Sequence, residues 1–155
     1  MSYTTLNNTM DAIKGQIENQ LGSELDSVVI FDGDLPVAVE QHFNTSGVGK
    51  SMVFIGAPTS APDRLNGCGL PLRQDHLIDI YVVVRADGRT RYTSDRERLF
   101  DLSDAIVFDV FECANRTTDF TETVHGVEYV RSTRIEQVGA ALLARRHEFN
   151  MTPAR

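Results

Sequence analysis

The sequence contains no tryptophan, only two cysteines and no long apolar run. Cys68 and Cys113 lie in unlike surroundings, with no CxxC motif and no histidine at metal-ligand spacing, which excludes a disulfide framework and a zinc finger. Two reduced thiols are therefore favoured over a single bridge. The longest apolar run, residues 80–84, is far shorter than the roughly 20 residues that a membrane-spanning helix needs, so no membrane association is predicted.

Positive charge is scarce as well, with 15 lysines and arginines against 22 aspartates and glutamates and a net charge of −7 at pH 7. This balance disfavours general nucleic-acid binding, because affinity for a phosphate backbone depends largely on lysine and arginine. Basic residues do cluster at 85–98 and at 145–146, so a local positive patch remains open. Residues 1–15 lack a basic segment followed by an apolar one, which predicts a cytoplasmic protein without a secretory signal.

The chain length of 155 residues suits one domain with one hydrophobic core. An apolar fraction of 41% and a charged fraction of 24% are ordinary for a globular protein and exclude a wholly disordered or fibrous chain. The sequence has no internal repeat and no linker long enough to separate domains. We therefore predict a single domain over residues 1–155.

Two amphipathic helices are predicted from the spacing of apolar residues. The first, over about 9–21, is followed by Gly22 and carries one apolar stripe: Leu6, Met10, Ile13, Ile17 and Leu21. The second begins at a capping box formed by Ser94 and Glu97 and runs to about residue 113. Its wide apolar face consists of Leu99, Leu102, Ile106 and Val110, flanked by Phe100, Val107, Phe108 and Phe111.

Alternating apolar residues predict strands at 27–31, 37–41, 51–55, 75–86, 127–138 and 140–151. Asp32-Gly33 favours a tight turn, so the first two strands are expected to form a hairpin. Pro58 is expected to end the third strand. The resulting order is α-β-β-β-β-α-β-β. We predict an α+β fold in which both helices pack on one face of a mostly antiparallel sheet.

Residues 57–75 are rich in glycine, proline, serine and asparagine and show no apolar period. They are predicted to form a long loop. Loops longer than about 15 residues are uncommon in compact domains and are often functional. This segment is therefore a candidate contact arm.

The segment 44–51, NTSGVGKS, ends like a phosphate-binding P-loop. A P-loop requires glycine where Asn44 stands, a buried strand before it and a helix after it. The residues that follow Ser51 instead predict a strand that stops at Pro58. A flexible loop is favoured, and nucleotide binding is kept as an alternative.

No other pattern predicts a catalytic centre, a metal site or a cofactor. The four histidines, at 42, 76, 125 and 147, lack partners at metal-ligand spacing. Gly67-Cys68-Gly69 lacks the surroundings of a nucleophile on a strained turn. The carboxylates of the second helix are spread around it and are interpreted as a solvated face: Asp95, Glu97, Asp101, Asp104 and Asp109.

The layout as a whole resembles the tail terminator, or tail completion, proteins of long-tailed bacteriophages. The resemblance covers nearly the whole chain and depends on order and hydrophobic rhythm. It is carried by the small-residue segment LNGCG at 65–69, the strand QDHLIDIYVVV at 74–84, the helix opening SDRERL at 94–99 and the closing strand RRHEFNM at 145–151. The sequence departs from the family in lacking tryptophan, which the corresponding loop of relatives often carries.

The resemblance implies a non-enzymatic virion protein that is assembled in the host cytoplasm. Such a protein forms a homo-oligomeric ring, expected to be a hexamer, on the head-proximal end of the tail tube, where it ends polymerisation and joins the head connector. DNA would pass through the lumen without specific binding, and an acidic surface fits that role. Interface residues are expected in the loop and the basic strands: Leu65, Asn66, Arg73, Arg89, Arg145 and Arg146.

Three alternatives stay open at this point. The first is another neck protein that joins head and tail. The second is a small nucleotide-binding domain that uses the GVGKS loop. The third is an α+β enzyme, which would need polar groups converging in a pocket, and the sequence offers no such group.

Overall fold

A computed structural model describes residues 5–45, 51–65, 71–85, 92–135 and 142–154. The helices are α1 Leu6–Leu21, α2 Leu35–Thr45, α3 Tyr92–Asp104 and α4 Thr118–Thr123. The strands are β1 Ser27–Phe31, β2 Ser51–Leu65, β3 Pro71–Arg85, β4 Val124–Ile135 and β5 Leu142–Pro153. A π-helix, Ala105–Val110, and a short 3-10 helix, Cys113–Asn115, connect α3 to α4. The α+β class predicted from the sequence is confirmed.

The five strands form one sheet in the order β1-β2-β3-β5-β4. Only the edge pair β1–β2 is parallel, so the sheet is mostly antiparallel, as predicted. Strand β3 lies at the centre, where Ile80 pairs with Ile55 on one side and with His147 on the other. The predicted alternation of β3 is confirmed, because Ile78, Ile80, Val82 and Val84 are all fully buried on one face.

The predicted second strand, 37–41, is wrong: these residues belong to helix α2. Val37 is half exposed whereas Val39 is buried, an alternation that suits a strand and a helix equally. The helix is favoured by its first turn, which contains Pro36, where a missing N–H costs little. Gly33, with φ +108°, turns the chain into the helix and does not close a hairpin.

The predicted loop 57–75 is also wrong, because most of it extends β2 and β3. Pro58 lies at a register shift between Gly56 and Thr59, a place where a strand tolerates proline and continues beyond it. The ladder with β1 ends at Gly56, and the ladder with β5 begins at His76. Residues 59–65 and 71–75 therefore pair only with each other among the described ladders. We call this two-stranded ribbon the arm.

The two predicted helices, α1 and α3, pack together on one face of the sheet, as predicted, whereas the unpredicted helix α2 packs on the other face. One core joins α1, α3, the π-helix and α4 to the inner residues of the sheet, including Val53, Ile80 and Phe149. A smaller core on the other face joins α2 to Met52, Phe54, Val83 and Ala144. Near α2, the inner strands of the sheet therefore carry apolar residues on both faces, as expected for strands that are covered on both sides.

The two predicted helices are present with shifted ends. Helix α1 begins at Leu6, after the N-cap Thr5, and α3 begins at Tyr92, so Ser94 lies inside the helix and is not its cap. The apolar positions predicted to be buried in the second helix are buried, but Phe100 and Phe108 are exposed. Asp95, predicted to lie on a solvated face, is buried and pairs with Arg98 at 3.2 Å.

Candidate assembly interface

A group of polar side chains lies on the α2 face of the sheet, outside the core that α2 covers. Alternation along antiparallel strands puts them together, because Asp79 pairs with Glu148 and Tyr81 pairs with Arg146 in register. Strand β4 contributes Arg131, which pairs with Glu148. The members of this charged cluster are Asp79, Tyr81, Arg131, Arg146 and Glu148.

Two guanidinium groups enclose the Glu148 carboxylate. Arg146 Nη2 lies 3.2 Å from Glu148 Oε1 and 3.1 Å from Asp79 Oδ2, so it bridges both acids. Arg131 Nε donates to Glu148 Oε2 from the edge strand. The hydroxyl of Tyr81 donates to Asp79 Oδ2 at 3.4 Å. The Glu148 side chain is only 3% exposed, whereas that of Arg131 is 69% exposed.

The surroundings of the charged cluster favour the charged forms of Glu148 and Arg146 and the neutral form of Tyr81. The hydrogen bond from Arg131 lowers the pKa of Glu148, against the opposing effect of burial. Burial, followed by the negative charge of Asp79, raises the pKa of Tyr81. Burial alone would lower the pKa of Arg146, but its contacts with Asp79, Tyr81 and Glu148 raise it overall. The cluster therefore combines two arginines with two carboxylates, an arrangement that suits specific contact with a partner.

Arg146 should matter more to stability than Arg131 does. We expect Arg146→Met to lower the free energy of unfolding by roughly 1–2 kcal/mol, because two carboxylates, one of them buried, lose a partner. We expect a smaller loss for Arg131→Met, since Glu148 keeps Arg146 and the Arg131 side chain is exposed. Urea denaturation of the two variants measures the difference, and equal losses would show that Arg146 does not hold the cluster together.

The arm is the second candidate surface, and it extends beyond the ladders with β1 and β5. Its strands are joined by register pairs such as Pro62 with Gln74 and Arg64 with Arg73. Among the described ladders the arm has no third strand, and a ribbon of two strands is marginally stable by itself in water. Contact with a partner molecule would therefore stabilise it.

Comparison with known proteins gives no match among family models or curated proteins.

The structure describes four of the six residues predicted to form an interface, and these four lie in different parts of the sheet. Leu65 and Arg73 belong to the far part of the arm, and Asn66 and Arg89 lie outside the described residues. Arg146 belongs to the charged cluster. Arg145, its neighbour in sequence, points to the opposite face of β5, where it pairs with Val82 and with Arg134.

The remaining chemical motifs gain no support from the geometry. Residues 46–50 of the P-loop-like segment lie outside the described residues, but a helix precedes that segment and a strand follows it, the reverse of the P-loop order. Ser51 N–H donates to Asp26 Oδ2 at 2.9 Å, which fixes the start of β2. Cys68 lies outside the description as well, whereas Cys113 is an exposed free thiol.

Neither a metal-ligand cluster nor a membrane-spanning helix occurs in the part of the chain that the structure describes. There, no three histidine, cysteine, aspartate or glutamate side chains come close enough to hold a metal ion. None of the helices in the same part is long and apolar enough to cross a bilayer.

The sequence interpretation missed the charged cluster and a second polar group on the opposite face. In that group the Nδ1 atom of His147, which is 1% exposed, lies 2.6 Å from Ser132 Oγ. The Ser132 hydroxyl in turn lies 2.9 Å from the hydroxyl of Tyr129. The sequence of β3 does indicate part of the cluster, because Asp79 and Tyr81 alternate with its buried residues. The pairing that brings Glu148 and Arg131 to them depends on the register of other strands and cannot be derived from β3 alone.

Proposed function

We propose that this chain is a structural virion subunit that assembles into a ring on the head-proximal end of a phage tail tube. In this role it ends polymerisation of the tube and forms the joint to the head connector. The resemblance of the layout to tail terminator proteins supplies the hypothesis. The arm is the single observation that carries it, because a subunit that stacks with copies of itself needs a surface reaching beyond its own core.

The arm supports assembly through its geometry. It continues β2 and β3, which each lie between two other strands of the sheet, so its base is anchored in the interior of the sheet. Its backbone pairs only within itself beyond Gly56 and before His76. A neighbouring subunit that packed against it would supply the second layer that a two-stranded ribbon lacks.

The charged cluster supports a specific, salt-sensitive contact. Arg131 at the sheet edge is exposed, and Arg146 is partly exposed, while Asp79 and Glu148 hold both in place. Two polar atoms of the cluster, Asp79 Oδ1 and Arg146 Nε, are buried without a hydrogen-bond partner in the isolated chain. Charges arranged in this way select partners and orient them more than they add affinity.

The net charge of −7 supports the passage of DNA through a ring without sticking. A surface with excess negative charge repels a phosphate backbone at distances up to about a Debye length, roughly 8–10 Å at moderate ionic strength.

The solution mass of the purified chain tests the proposal. Light scattering should detect a species several times heavier than the 17.3 kDa chain, either alone or with tail-tube protein of the same phage. A variant in which residues 61–75 are replaced by Asn-Gly, a turn that closes the Ser60–His76 pair, should stay folded but lose assembly. A wild-type chain that remains monomeric and ignores tubes would contradict the proposal.

A further inference from the structure

Strand β1 is an edge of the sheet whose outer side has no strand neighbour among the described residues. It pairs in parallel with β2 through all of its residues, 27–31, without a register shift. In the strand order β1-β2-β3-β5-β4 it comes first, so the described strands reach it from one side only. The backbone N–H and C=O groups that point to the other side form a template for an added strand.

The residues of β1 do not protect this edge. Its sequence, SVVIF, contains neither proline nor a charged side chain, two features by which edge strands resist pairing with another chain. Val28 and Ile30 contact the core that includes α1, whereas Val29 and Phe31 contact the core that includes α2. The strand is therefore held by packing on both faces, and its edge is the part that remains for a partner.

The other edge strand, β4, is protected. Its ladder with β5 is irregular between Val124 and Gly126 and again between Tyr129 and Arg131. Irregularities of this kind twist an edge away from a further strand. The Arg131 side chain, which is 69% exposed, adds a charge at the same edge. Of the two edges of the sheet, β1 is thus the one suited to strand addition.

A second β1 strand is a poor partner for this edge, because acidic residues flank β1 at both ends. Glu24 and Asp26 precede the strand, Asp32 and Asp34 follow it, and no basic residue lies between them. In an antiparallel pair of two β1 strands centred on Val29, Asp26 of one copy would lie opposite Asp32 of the other, and Glu24 opposite Asp34. Like charges directly opposite each other destabilise a pair of strands.

The arm is a better partner for β1. It lacks a third strand, because residues 59–65 and 71–75 pair only with each other among the described ladders. Its run on the β3 side, 71–75, is as long as β1, which has 5 residues. The two runs together contain as many arginines as aspartates, so the arm brings no net negative charge to the acidic ends of β1. The ribbon and the edge each supply the strand neighbour that the other lacks.

We propose that the outer edge of β1 in one copy receives the arm of a second copy as an added strand. This inference rests on the proposed function and names the contact that joins neighbouring subunits of the ring. Main-chain hydrogen bonds between the arm and β1 provide the affinity. The two surfaces differ, so each copy offers β1 to one neighbour and its arm to the next, and repetition closes into a ring when the rotation between copies permits it.

Hydrogen exchange of the β1 amides tests the inference on the unmodified chain. Outward amides of an edge strand exchange readily with water, and an added strand protects them. We expect the fastest amides of residues 28–31 to exchange at least about tenfold more slowly in the assembled wild type than in the variant in which Asn-Gly replaces residues 61–75. Equal exchange rates in the two proteins would contradict the inference.

A proline in β1 blocks the edge. Because N–H directions alternate along a strand, either Val29→Pro or Ile30→Pro removes an outward N–H and leaves the ladder with β2 intact. The one of the two variants whose stability is closer to that of the wild type is the edge variant. It should self-associate at least about tenfold more weakly than the wild type in sedimentation velocity. Val130→Pro, at an irregular position of β4, is the matched control and should associate as the wild type does.

Mixing the edge variant with the variant that lacks the arm tests the direction of the contact. Each alone has one half of the contact and should stay monomeric. Together they should form dimers and nothing larger, because the β1 edge of one can receive the arm of the other only once. If the wild type assembles but the edge variant assembles equally well, or the mixture gives no dimer, the inference is wrong while the proposed function stands. A wild-type chain that stays monomeric and ignores tubes overturns both.

Discussion

Gln16→Met is expected to lower the free energy of unfolding by roughly 3 kcal/mol, although methionine has nearly the same length and shape. Gln16 is 1% exposed and has its amide fully used. Its Nε2 donates to the carbonyl of Val110 and to that of Asn115, both at 2.8 Å. Its Oε1 accepts from the N–H of Thr117 at 3.0 Å.

The expected loss is large because one side chain joins α1 to three successive pieces of the chain. Val110 ends the π-helix, Asn115 ends the 3-10 helix and Thr117 is the N-cap of α4. Without the amide, the buried Val110 carbonyl and the half-buried Thr117 N–H lose these bonds, at a cost of roughly 1–3 kcal/mol for an unsatisfied buried group and less for a half-buried one.

Gln20→Met is the matched control. Gln20 lies one turn further along α1 and donates only to the Asn115 carbonyl, at 3.2 Å. That carbonyl keeps its bond from Gln16, so the expected loss is under about 1 kcal/mol. Urea denaturation of both variants measures the two losses. Equal values, or a Gln16→Met variant as stable as the wild type, would show that the amide does not join these segments.

The second large effect is a dependence of stability on pH through His147. Burial, followed by the nearby charge of Arg145, lowers the pKa of His147 from 6.5 to about 4. As the pH falls from 6.5 towards 4, the unfolded chain binds a proton that the folded chain excludes. The stability that depends on a neutral His147 is thus fully present above pH 6.5. The free energy of unfolding should fall by roughly 3 kcal/mol as the pH is lowered towards 4.

His147→Asn isolates this contribution, since asparagine can keep a polar contact with Ser132 but does not titrate. We expect the stability difference between wild type and variant, measured by urea denaturation, to shrink as the pH is lowered from 7 to 4. Chemical shifts of the imidazole in the folded protein give the pKa independently. His125→Gln, at an exposed position, is the control. A difference that stays constant with pH would contradict the burial of a neutral His147.

The elements with strong periodicity were predictable from the sequence, and those with ambiguous periodicity were not. The stripe from Met10 to Leu21 and the alternation of β3 each match only one regular structure, and both are present. Residues 37–41 match both a strand and a helix, because valines at alternate positions also suit a short helix that packs on a sheet. Proline was misleading twice: Pro36 lies in a helix start, and Pro58 lies at a strand irregularity.

The candidate site was predictable only in part, because it depends on pairing between distant strands. The sequence identifies Arg145 and Arg146 as a basic pair, but alternation on β5 sends them to opposite faces. Only the register of β3, β5 and β4 joins Arg146 to Asp79 and Glu148. The partners of Gln16 lie 94 or more residues away in sequence, so no local pattern could indicate them.

The length distribution of tail tubes tests the proposed function most directly. Tail-tube protein would be polymerised with increasing amounts of the chain, and tube lengths would be measured by electron microscopy. We expect small amounts of the chain to shorten the tubes and the chain to cap one end of each, while the variant without the arm leaves their length unchanged. Tubes that grow to the same length with or without the wild-type chain, and whose ends remain bare, would contradict the proposed function.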